Sequence, residues 1–136
     1  MLKVRQLRNR RQGGASLVEL ALVLFLLVLL LAAVIDFGRA FNSYIVITNA
    51  SREGAREAAR YPNSETRIQD AARREAAGSA VDAEALVVDI QGLGAELGHP
   101  ITVTVNYEVP TILTDIVGLG ALPLRARTEM VVFGLE

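Results

Sequence analysis

The run from Leu17 to Ile35 constrains this chain more than any other stretch. It holds 19 residues, and Glu19 is its only charge. From Leu20 onward, 16 apolar residues follow without interruption. Leucine dominates, which favours a helix. At about 1.5 Å per residue the run spans roughly 28 Å. The hydrocarbon core of a bilayer is about 30 Å thick. A chain of 136 residues has little left with which to surround an all-apolar helix. The run therefore reads as a membrane span rather than a core helix.

Charge gives the expected orientation. Lys3, Arg5, Arg8, Arg10 and Arg11 precede the run with no acid among them. Asp36 and Arg39 follow it. The basic flank is expected to stay cytoplasmic, with the C-terminal part outside the cell membrane as a single-pass head. Beyond residue 14 the chain carries nine basic and 15 acidic side chains, so the body offers no cationic footprint for nucleic acid. A secretory signal is the competing reading. Its nearest small-x-small site is Gly38-Arg39-Ala40, with a charge in the middle and a long apolar run before it. An uncleaved single-pass anchor carrying a small binding head is a third.

The helical pattern continues past Ile35. Phe37, Phe41, Tyr44 and Thr48 share one face, with Ile45 beside it. The stretch 50–60, ASREGAREAAR, is rich in helix formers, and it pairs Glu53 with Arg56 and Glu57 with Arg60 at i,i+3. Arg52, Arg56 and Arg60 repeat every fourth residue, as a solvated face or as a contact with acidic groups of a neighbour. Ala50, Gly54 and Ala58 form a small-residue strip. It suits close approach by another helix, and equally a fit against the chain's own sheet.

Pro62 ends this helix, and Ser64 can cap a second over about 64–77, stopped by Gly78. Its apolar face is shallow: Ile68, Ala71, Ala72 and Glu75 or Ala76. The period then becomes two. Residues 85–90 read as a strand. Ile101 to Val109 alternate β-branched or aromatic residues with polar ones, and 124–133 repeat the pattern. Three strands with a bare apolar face need a cover, and the helix from about residue 41 onward supplies it. The connection 110–123 is apolar for a loop, suited to a short helix, a dip toward the membrane surface or a contact patch. The sequence thus predicts an α+β fold, a long N-terminal transmembrane helix continuing into a small head with a second helix and an approximately three-stranded antiparallel sheet. The expected segments are 1–14, a basic leader; 15–36, the transmembrane part; 37–61, the extracytoplasmic continuation; and 62–136, the head.

No catalytic constellation emerges, and no cofactor or metal is expected. Cysteine is absent. His99 is the only histidine and sits in a turn between Gly98 and Pro100, which argues against zinc. The glycines at 92, 94 and 98 lack phosphate-loop spacing. Asp82, Glu84 and Asp89 lack the loop glycine of a calcium site. A non-enzymatic role is expected.

Glu19 then needs a reason, because a carboxylate at the centre of a membrane helix costs about 2.5–3.5 kcal/mol, less near an interface. Basic leader residues are candidate partners. A cut after Gly14 would create another, the free amine of Ala15, four residues before Glu19.

This arrangement resembles that of prepilin-like proteins. They carry a basic leader, a glycine before the cut, a glutamate at the fifth mature position and an unbroken apolar helix. Gly14, Ala15 and Glu19 fall on those positions in RRQGGASLVE. Within that class the chain looks most like the TadE-like pseudopilins of the tight-adherence (Flp) pilus system. The resemblance rests on GASLVELALVL at 14–24, Asp36-Phe37-Gly38-Arg39, the ASREGAREAAR helix and VTVNYEVP at 103–110. It implies processing by a prepilin peptidase on the cytoplasmic side, and assembly with other pilins or pseudopilins and inner-membrane proteins. It also implies a minor pilin or assembly factor, since the chain is too long for a major Flp pilin. The family often places proline inside the apolar segment. Phe25 or Leu26 stands there in this chain, so a straighter helix is expected.

Overall fold

The computed structural model describes residues 10–113, 118 and 120–134, with side chains from residue 14 onward. Most of the basic leader, 1–9, and positions 114–117 and 119 of the 110–123 connection lie outside the described residues.

One helix dominates. α1, Arg10–Arg60, runs unbroken for 51 residues, about 76 Å. A second helix, α2 (Glu65–Ala76), is followed by a 3-10 turn, Ala83–Ala85. Three strands complete the fold: β1 (Val87–Gln91), β2 (Pro100–Val109) and β3 (Leu122–Val131). They form one antiparallel sheet in the order β1-β2-β3. The register places Ile90 opposite Val103 and Val105 opposite Ala126.

The outer half of α1 and all of α2 lie on one face of the sheet. Ile47, Ala50, Ala55 and Ala58 of α1 join Ile68, Ala72 and Ala76 of α2, and Ile101, Val103 and Val105 of β2, in a single core. The apolar side of β2 expected from its alternation is the side that is covered. The opposite side of the sheet exposes Asp89, Gln91, Arg125, Arg127 and Glu129. β2 runs antiparallel to α1. Its start lies at the Ala59 end, where Phe133 and Gly134 donate backbone hydrogen bonds to the Ala59 carbonyl. Its end lies toward Asp36.

The buried stripe of α1 consists of Asp36, Ser43, Ile47, Ala50, Ser51, Gly54, Ala55, Ala58 and Ala59. The aromatic face of Phe37, Phe41 and Tyr44 lies about a quarter-turn away and is exposed. Small residues win the core position because they let the helix axis approach its neighbours. A Cβ on Gly54 would stand 3.1 Å from Val103 Cγ1 and 3.4 Å from Ala72 Cβ.

Several local expectations are corrected. Ala85 and Leu86 are not in a strand, because Asp82 accepts the Glu84 amide at 3.1 Å and caps the 3-10 turn instead. β3 begins earlier than expected, at Leu122, and ends at Val131. Val132 leaves the ladder to pair with His99 across the turn. Ser64 stands at the N-cap of α2 but its side chain makes no capping bond. Glu57 turns to α2 rather than to Arg60. Its Oε1 accepts from Arg67 Nε at 3.0 Å and Nη2 at 2.8 Å. The Arg67 guanidinium also lies 3.8 Å over the Tyr61 ring. Hydrogen bonding to Glu57 raises the Arg67 pKa above its ordinary value.

Candidate functional site

The inner half of α1 is exposed from Gly14 to Phe25 and beyond, and its apolar stretch is not buried by the described residues of the head. It is the one helix among the described residues long and apolar enough to cross a membrane. An apolar helix bare on every side is unstable in water and suited to lipid or to other helices. That supports anchoring in a membrane.

Gly14, Ala15 and Glu19 all lie on this exposed part. Gly13 and Gly14 are helical, although each glycine weakens a helix by about 0.8–1.0 kcal/mol relative to alanine. They are therefore the weakest point of the first turns. Lys3, Arg5 and Arg8, candidate partners of Glu19, lie outside the described residues, as do the side chains of Arg10 and Arg11. Glu19 precedes Phe37 by 18 residues, five helical turns, so the two share a face.

The strip of Ala50, Gly54 and Ala58 is occupied by the chain itself, against α2 and β2. Arg52 and Arg56 are exposed on the other side, and Arg56 Nη1 lies 3.4 Å from Glu53. The strip and the two arginines thus face different surroundings.

Two polar contacts of α1 carry no sequence periodicity. Ser51 Oγ lies 2.8 Å from Thr128 Oγ1, a part-buried link between helix and β3. Asp36, just past the apolar run, is only 6% exposed. Its carboxylate accepts the backbone N–H of Ile112 at 2.9 Å and of Leu113 at 2.8 Å. Such charge-assisted bonds to paired amides are the strong kind. The requirement for a partner that singles out Glu19 also applies to Asp36, and that was the available signal. Its partners, 76 and 77 residues away, had none.

No group of three or more histidine or acidic side chains converges among the described residues. One groove lies on the outer face of the sheet, about 630 Å³, lined by Val87, Asn106, Tyr107, Glu108 and Arg125 among others. Its polar groups, among them Tyr107, Glu108 and Arg125, point to no particular reaction.

No curated protein and no solved structure matches the chain. Residues 14–56 match the family model described as TadE-like protein. The match covers the exposed part of α1, Asp36 and most of the helix that packs on the head. The N-terminal region of this chain thus matches the TadE-like family, and among the described residues it carries a single apolar helix suited to a membrane.

Proposed function

We propose that this protein is a non-catalytic minor pilin or pseudopilin that takes part in assembling a Tad/Flp-type pilus. A prepilin peptidase cuts it after Gly14. The observation that carries the reading is that the TadE-like match opens at Gly14, the glycine that the leader pattern puts before the cut.

The roles follow from the residues. Gly14 is small enough for a peptidase site, and the weak helix at Gly13-Gly14 eases the unwinding that cleavage needs. The cut frees the Ala15 amine, cationic near pH 7 with a reference pKa of about 7.7–8.0. Glu19 pairs with that amine, its own or a neighbour's, in apolar surroundings that strengthen the attraction. The 17–35 helix holds the protein in the bilayer, leader cytoplasmic and head outside, until it joins other pilins and inner-membrane assembly proteins. Arg52 and Arg56 are available to acidic groups of those partners.

Release by signal peptidase near Ala40 fits poorly. A cut there would part Asp36 from the Ile112 and Leu113 amides.

Gly14→Arg tests the assignment. The variant should remain membrane-extracted and full-length in cells where the wild-type chain is shortened by a prepilin peptidase. Normal processing of the variant would put the cut elsewhere.

A further inference from the structure

The Asp36 contact fixes the height of one head segment relative to the apolar run. Asp36 directly follows Ile35, the last residue of a run about as long as the hydrocarbon core is thick. The polar interface adds roughly 5–7 Å beyond that core on each side. Four further helical residues, to about Ala40, traverse that layer. The backbone at Ile112 and Leu113 is within hydrogen-bond distance of the Asp36 side chain. It therefore lies in the same layer whenever the run spans the bilayer.

The side chains there are apolar and left exposed by the described residues of the head. Ile112 is 39% exposed, Leu122 at the start of β3 41%, and Phe37 on α1 73%. Exposure alone does not select a surface, since Leu97 at the other end of the head is 69% exposed. Leu97 contacts the Gly134 region, which hydrogen-bonds to Ala59. Ala59 is 23 residues beyond Asp36, about 34 Å along the helix. Among the described residues, only the Ile112 end is continuous with the lipid-facing run.

We propose that the Ile112–Leu113 turn, with Leu122 and Phe37, is a second and shallow attachment of the head to the lipid interface, held at that height by Asp36. The occupant is the bilayer surface itself. This proposal rests on the membrane-anchor reading of α1. The attachment would fix the tilt of the head on its helix before assembly, and the turn would have to leave lipid when the protein is extracted into a filament.

The chain contains no tryptophan, so single-tryptophan variants report position directly. Full-length Leu26→Trp, Ile112→Trp and Leu97→Trp are placed in nanodiscs. Phosphatidylcholine brominated either near the headgroup end of the acyl chain or near its middle serves as quencher. Leu26→Trp should be quenched best by the deep bromines, Ile112→Trp by the shallow ones, and Leu97→Trp by neither. Adding Asp36→Ala to Ile112→Trp should reduce the shallow quenching. If Leu26→Trp is quenched while Ile112→Trp behaves like Leu97→Trp, the attachment is overturned, the anchor stands, and the turn is left to a protein surface. If Leu26→Trp is not quenched, the anchor fails and the proposal with it.

Discussion

Gly54 lies so close to Val103 that a Cβ in its place would stand 3.1 Å from the valine Cγ1. This is the point where α1 approaches both β2 and α2. Gly54→Ala sets that crowding against a helix-propensity gain of about 1 kcal/mol, so its net effect should be small. Gly54→Leu has no space and should destabilise the head by about 1–3 kcal/mol. Thermal unfolding of the detergent-solubilised chain, followed by circular dichroism, checks the contrast.

The link between Ser51 and Thr128 is part-buried and joins helix to sheet. Ser51→Ala removes the Thr128 hydroxyl's partner on the helix and should cost about 0.5–1.5 kcal/mol. The double variant Ser51→Ala, Thr128→Val removes both hydroxyls and should recover part of the loss. Additive effects in a double-mutant cycle would contradict the coupling.

Removing the Asp36 carboxylate should act locally. Asp36→Ala is expected to speed hydrogen exchange at the Ile112 and Leu113 amides at least tenfold, while Val103 and Val105 in the central strand stay protected. Unchanged exchange at the two amides would show that the carboxylate does not hold them.

The fold was legible where one periodicity prevails. Alternation from Ile101 to Val109 gives β2 and its covered face, and the long apolar and alanine-rich stretches give α1. Legibility failed where a local polar bond overrides propensity. Ala85 and Leu86 look like strand residues, but the Asp82 cap bends the chain there first. Glu57 sits at ideal spacing from Arg60, yet Arg67 of α2 reaches it with two donors. On α1 the aromatic residues draw the eye as a face. The core instead takes the small ones, because Ala50, Gly54 and Ala58 allow close packing. At the site, Gly14 and Glu19 stand out as oddities within simple surroundings. Asp36 was visible as a flanking charge, but its partners come from a distant turn that no spacing rule connects to it.

Glu19 carries the assembly role in this account. Glu19→Ala should leave membrane insertion at wild-type levels, since it removes a charge from an apolar segment. Pilus assembly should fall severely, as scored by surface filaments in cells carrying the rest of the system. Wild-type piliation with this variant would remove the proposed pairing with the Ala15 amine.

The central claim is that the chain is processed as a pilin-like protein, and the mature N-terminus tests it most directly. Intact mass and terminal sequencing of the membrane-extracted protein, with and without a prepilin peptidase, decide the matter. A peptidase-dependent start at Ala15 is the expected result. A start at Met1 under both conditions would leave an uncleaved anchor, and one near Phe41 an exported domain. Either would contradict the account.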